Sequence, residues 1–407
     1  MSSSDTLAFN PFLPEVHEDP YPLYRRLRQA DPVHRSELGF WVLTRHADVL
    51  ALLRDPRTSR DPRRSERVEA LRSSVEVGRL LDEEEAAPSM LFVDPPDHTR
   101  LRTLVNKAFT PAAVERLRPR VEQVVDGLLD RVAGAGAMDV VEDLAYPLPV
   151  TVICDLFGVP EADRDRFRGW SRAFVHLLDP LVAEDAMERA LQARLALRGY
   201  LRELVAQRRA HPADDLLTAL IAAEDQGQAL SEAELVSMCV LLLVAGHETT
   251  VNLIANGTLA LLRQPRALAR LAADPSLAGS AVEELLRHDA PVQFTSRHAL
   301  ADFEIDGHAV RTGETVVGIL GAANRDPAVF PDPDELDLGR KPNRHVAFGG
   351  GIHFCLGATL ARTEAGIAIP ALLGRLPGLE LAGAPVRRDT VTLRGLSSLP
   401  VTFRATG

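Results

Sequence analysis

The chain has 407 residues, 46% hydrophobic and 25% charged, an ordinary balance for a globular protein with a large apolar core. Its net charge of −11 argues against a general nucleic-acid binder, because no basic stretch stands out and Lys107 and Lys341 are the only lysines. The three cysteines, Cys154, Cys239 and Cys355, lie too far apart for a CxxC-type metal site, and their odd number suits a reducing compartment better than a disulfide framework.

In chain order, the N-terminal MSSSDTLAFNPFLPEVHEDP lacks the basic start and apolar segment of a signal peptide. The segment GFWVLTR (39–45) reads as a strand. Apolar periodicity predicts helices over 97–108, 111–133, 145–157, 161–178 and 183–210. The longest covers 230–264 and opens on a capping box, Ser231 with Glu234. A further helix covers 276–289. Short strands joined by Gly-containing turns fill 294–319, and a Pro- and Asp-rich irregular connection runs through 324–345. Alanine-rich sequence after Cys355 predicts a helix, and short strands return after 378. The layout is mainly α with a small β portion, without a clean linker. The most apolar run, MCVLLLVAG (238–246), is too short to span a bilayer. A soluble, cytoplasmic protein with no membrane or nucleic-acid partner is expected.

Four stretches carry chemistry. In FGGGIHFCLG (348–357), glycines permit unusual backbone angles and close approach of a flat ligand, and Cys355 lies at or beside a helix start that favours a thiolate. Such a thiolate is a nucleophile or a metal ligand. His353 is too local to serve as a convincing base, and zinc would need three more ligands. Haem iron needs one protein ligand, and cysteine is among its known choices. In AGHETT (245–250), Ala245 and Gly246 remove bulk from a helix, and the Thr249 hydroxyl can bond back to the Ala245 carbonyl. Glu248 beside it sets an acid next to an alcohol. In EELLRHDAPV (283–292), Glu284 and Arg287 share a helix face and can pair. In DPPDHTRLRTLVNKAFTP (94–111), His98 and Arg102 are four apart, so one helix face presents both. Cys154 and Cys239 sit in apolar runs and read as core.

FGGGIHFCLG matches the cytochrome P-450 pattern Phe-Gly-x-Gly-x-His-x-Cys-x-Gly at each fixed position: Phe348, Gly349, Gly351, His353, Cys355 and Gly357. AGHETT resembles that family's oxygen-binding segment, EELLR its Glu-x-x-Arg signature, and DPPDHTRLR the segment whose His and Arg hold a haem propionate. The resemblance runs from DPYPLYRRLRQADPV to LRGLSSLPV, nearly the whole chain. It implies a single haem domain over 1–407, a triangular prism of roughly a dozen helices with short β-sheets. It also implies a haem b monooxygenase using O2, with electrons from NAD(P)H through a separate reductase and a ferredoxin or flavodoxin, acting as a monomer.

By the same resemblance Cys355 ligates the iron, and Thr249 donates to dioxygen while Glu248 helps supply protons. His98, Arg102, Arg297 and His353 hold the propionates. Glu284 and Arg287 form a buried structural pair. Here the family's usual third arginine is replaced by Glu335 in PDEL, leaving Arg340, Arg344 or His345 to complete the network. Carrier docking falls to Lys107, Lys341 and Arg344. The substrate walls are Met90, Leu91, Phe92, the stretch around 174–185, Leu241, Leu242, Ala245, Val292, Phe294, Thr295, Leu396 and Ser397. These indicate a lipophilic substrate such as a fatty acid, terpenoid, steroid or polyketide/macrolide. The rival readings are a peroxide-driven peroxygenase and a non-catalytic haem carrier or sensor, neither of which needs the Glu248-Thr249 pair. A cysteine hydrolase lacks a triad.

Overall fold

The computed structural model describes residues 8–65, 87–179, 182–225 and 227–405. They fall into two compact units. The first comprises the described residues within 8–65, 286–335 and 341–355, and the second those within 87–285, 336–340 and 356–405.

The first unit is built on a five-stranded sheet in the order Val33–Arg35, Trp41–Leu43, Thr315–Ile319, Phe294–Ala299, Thr58–Ser59. GFWVLTR contributes only Trp41–Leu43 to it. The antiparallel pairing sets Phe294 opposite Ile319 and Arg297 opposite Val316. Val33, Leu43, Val49, Leu52, Val316 and Leu320 form its core, each burial contributing about 1.5–3 kcal/mol. A side hairpin, Phe303–Ile305 with His308–Val310, turns on Asp306 and Gly307, both at positive φ, as an Asp-Gly pair favours. The 324–345 connection is irregular, as its prolines and aspartates predict.

The second unit is helical around one element, Glu232–Leu262, whose capping box is formed: Glu234 N–H donates to Ser231 Oγ and Ser231 N–H to Glu234 Oε2. Among the described residues this is the one helix long and apolar enough to cross a membrane; 72% of its apolar window is buried, so it is the unit's core helix. Pro147–Phe157, Glu184–Ala210 and Ala358–Arg375 pack on it.

The helix expected over 111–133 is two, Pro111–Glu115 and Arg118–Val132. Pro119 lacks an N–H and its ring clashes with the carbonyl four residues back, so the helix must restart. The 161–178 helix is α only over Arg164–Phe174, with 3-10 turns at both ends, a common way to tighten helix termini. Sequence periodicity also missed Leu216–Ala222 and Pro265–Ala273.

Candidate active site

In the first unit the loop around Cys355 is fixed by its backbone. Cys355 N–H donates to Phe348 O at 3.0 Å and Gly349 N–H to Val346 O at 2.9 Å. Gly349 and Gly351 stand at φ +71° and +65°. A Cβ on Gly351 would lie 2.3 Å from the Leu53 carbonyl oxygen, so glycine is required there on two counts. Cys355 is half-buried, while Ile352 and Phe354 beside it expose large apolar surface. The helix Ala358–Arg375 opens three residues later, with Gly357 as its N-cap. The other two thiols are inert by contrast: burial pushes Cys154 up to about 12, and raises Cys239 as well.

Arg297 is buried on the strand Phe294–Ala299, where its Nη1 donates to Thr295 Oγ1 at 3.0 Å and Ser296 O at 2.9 Å. Arg60, which no sequence pattern singled out, donates to the same two acceptors at 3.0 and 3.1 Å. Burial pulls the Arg60 guanidinium down to about 10. His353 ends a short 3-10 turn, Gly351–His353, and is half-buried.

In the second unit the core helix is buried along nearly all its length from Leu235 to Leu261. Its exceptions are Leu241, Leu242, Ala245, Gly246 and Thr249. Spacings of one, three, one and three residues put these five on a single stripe, with Ala245 exposed at its centre. Thr249 Oγ1 donates to Ala245 O at 2.9 Å, the back-bond its position predicts. Gly246 leaves no spare room behind it, since a Cβ there would meet Ile153 Cδ1 at 3.0 Å.

Glu248 turns away from that stripe into the protein. Only 1% exposed, it accepts Arg388 Nη1 at 2.5 Å and lies 3.4 Å from His247 Nε2. His247 Nδ1 lies 2.6 Å from Leu243 O, which fixes the ring. Burial alone would raise the Glu248 carboxyl, but His247 and Arg388 outweigh it and hold it well below the usual carboxylate range. The sequence gives no sign of Arg388, which lies 140 residues away.

His98 and Arg102 lie on the helix Asp97–Ala108, His98 buried and Arg102 half-buried. Burial, and then the Arg102 charge, lower the His98 imidazole below its ordinary value, with Asp94 opposing. The Glu-x-x-Arg residues are fully buried. Arg287 donates to the carbonyls of Asn324, Pro333 and Glu335 at 2.8–3.0 Å, so Glu335 serves through its backbone. Glu284 accepts Arg340 Nε at 3.1 Å and Asp337 N–H at 2.9 Å, which selects Arg340 among the three open candidates.

Of the expected substrate walls, Met90, Phe294 and Leu396 are buried, Leu91, Phe92, Val292 and Thr295 half-buried, and Ser397 exposed. Within 174–185, residues 180–181 lie outside the described residues.

These residues fit a haem. The loop supplies one accessible thiol flanked by apolar side chains, and the core helix has an open, side-chain-poor stripe. His98, Arg102 and Arg297, each buried or half-buried, are donors of the kind that carboxylates require. Comparison with known proteins agrees. A model of the family described as Cytochrome P450 matches residues 79–275 and 276–377. The chain is 47% identical over 405 residues to Cytochrome P450 107B1 of Saccharopolyspora erythraea, covering 98% of this chain and 97% of that one. It is 42% identical to the polyketide biosynthesis cytochrome P450 PksS of Bacillus subtilis, over 98% and 99% of the two chains. The crystal structure of myxobacterial cytochrome P450 CYP267B1 in complex with myristic acid superposes with a TM-score of 0.89 at 46% identity, over 97% and 99%. With its thiol loop, its open helix stripe and matches over nearly its full length, the chain belongs to the cytochrome P450 family of haem-dependent monooxygenases.

Proposed function

We propose that residues 1–407 act as one catalytic unit in which Cys355 is the single protein ligand of a haem b. When bound, the haem supplies the redox chemistry that puts one atom of O2 into a C–H or C=C bond and releases the other as water. The observation that carries the reading is the open stripe of the core helix. Ala245 and Gly246 permit close approach of a flat ring system, and Thr249 presents a hydroxyl on the same face.

Thr249 holds a proton on Oγ1 that now points to Ala245 O; a χ1 rotation redirects it to an oxygen lying against the stripe. Glu248 remains a carboxylate and relays protons by accepting and releasing them, while Arg388 and His247 keep it from retaining one. His98, Arg102 and Arg297, with His353 as a further donor, neutralise the haem carboxylates. Phe348, Gly349 and Gly357 shape the thiol loop.

The apolar character of Leu91, Phe92, Leu241, Leu242 and Val292 supports a lipophilic substrate, of the fatty acid, terpenoid, steroid or polyketide/macrolide kind. One relative named for polyketide biosynthesis, and another whose structure holds myristic acid, support the same range. Electrons come from NAD(P)H through a separate reductase and a ferredoxin or flavodoxin that docks near Lys107, Lys341 and Arg344. The protein works as a cytoplasmic monomer. A titration of the holoprotein with myristic acid, a macrolide and a secosteroid, read by the shift of the Soret band, tests the substrate class. At least one should produce a saturable shift; a shift given only by a small charged solute would contradict the reading.

A further inference from the structure

Two guanidiniums, Arg297 and Arg60, meet at the edge of the five-stranded sheet. The edge strand Thr58–Ser59 pairs antiparallel with Phe294–Ala299, Thr58 opposite Ala299 and Ser59 opposite His298. One residue further along, Arg60 comes level with Arg297 and on the same side of the sheet, because directly opposed residues share a face. The side chains follow that register. Arg60 Nη1 donates to Thr295 Oγ1 at 3.0 Å and to Ser296 O at 3.1 Å. Arg297 Nη1 donates to the same two atoms at 3.0 and 2.9 Å. The two nitrogens therefore lie within two hydrogen-bond lengths of each other.

Like charges directly opposite one another on neighbouring strands destabilise a sheet. Desolvation adds to the cost: burial pulls the Arg60 guanidinium down to about 10, and Arg297 is buried as well. Thr295 Oγ1 and Ser296 O are neutral acceptors, so these bonds orient the guanidiniums without answering their charge. The carboxylate next in sequence, Asp61, is engaged by Arg63 Nε and Nη2 at 2.6–2.9 Å. Two planar forks converging on one pair of atoms are an arrangement that takes a carboxylate. The haem presents two carboxylates, and Arg102 and Arg297 already match them charge for charge; Arg60 brings a third cation to the same edge. Half-buried Val292 and buried Phe294 lie within three residues of Thr295 and set apolar surface beside it. A cation next to an apolar wall suits an acid with an aliphatic tail.

We propose that Arg60, oriented beside Arg297 by Thr295, binds the carboxylate of a lipophilic acid substrate and gives the enzyme its preference for acids over neutral esters. This rests on the monooxygenase reading above and narrows its substrate class. The step is binding alone: the carboxylate keeps its charge, and no covalent bond to it forms or breaks. Arg60 is a specificity-determining residue, while Arg297 stays with the haem edge.

Holoenzyme, Arg60→Met and Arg60→Lys are titrated with myristic acid and with methyl myristate, read by the shift of the Soret band. The parent should bind the acid about tenfold or more tighter than the ester, as a charge-assisted hydrogen bond to a desolvated guanidinium implies. Arg60→Met should weaken the acid by that factor and leave the ester unchanged. Arg60→Lys, which keeps the charge but not the fork, should restore part of the preference. Haem content and the thiolate-type ferrous-CO spectrum should match the parent in both variants. A parent that binds the acid no better than the ester, or binds neither, overturns the proposal and leaves the monooxygenase reading intact. So does an Arg60→Met variant that loses haem but keeps the acid preference, since Arg60 then serves a haem carboxylate. Absence of the thiolate spectrum from the parent overturns the monooxygenase reading, and the proposal with it. If Arg60→Met does not fold, Arg60→Lys decides: its preference for the acid must fall while its affinity for the ester holds.

Discussion

Thr249 and Glu248 are neighbours with opposite surroundings. The Thr249 hydroxyl is half-exposed and bonded only to its own helix, whereas Glu248 is locked to a cation brought from the C-terminal segment. Thr249→Ala should therefore leave the haem spectrum unchanged and reduce product formation by about tenfold or more, the missing oxidant appearing as peroxide. Peroxide release and product, measured together, check this. Arg388→Met strands a buried carboxylate and should destabilise the fold by about 3 kcal/mol at neutral pH. Because the folded-state Glu248 carboxyl titrates below its ordinary value, its contribution is present above the ordinary carboxylate range and lost as pH falls below it. The gap between parent and variant in denaturant melts should shrink on acidification. Neither Arg388 nor Arg60 was legible in sequence, since each meets its partners across more than a hundred residues and neither sits in a periodic pattern.

At the scale of elements, strong local rules made the sequence legible. The capping box of Ser231 and Glu234 and the apolar density after it place the core helix within two residues at each end. The Asp306-Gly307 turn and the irregular 324–345 stretch follow from turn chemistry. Boundaries failed where apolar periodicity continued past a proline, as at Pro119. The thiol loop belongs to the legible part: its glycines predict strained backbone, and two take positive φ. Gly351→Ala sets a methyl against the Leu53 carbonyl in a left-handed conformation and should cost about 1–3 kcal/mol. It should also lower haem retention. Thermal melts and the haem-to-protein absorbance ratio of the purified variant measure both.

For the whole molecule, family membership followed from short motifs more than a hundred residues apart, Thr249 in one and Cys355 in another, each with a physical reason for its residue types. What the motifs left open was the ionic wiring behind them, such as the choice of Arg340 for Glu284, because many arginines along the chain satisfy the same local rule. The central claim, that Cys355 is the thiolate ligand of a haem, is tested most directly by the absorption spectrum of the reduced, CO-treated protein and of Cys355→Ala. The account predicts the red-shifted Soret band of thiolate ligation in the parent and its loss in the variant. A parent without that band, or a variant that keeps it, would contradict the account.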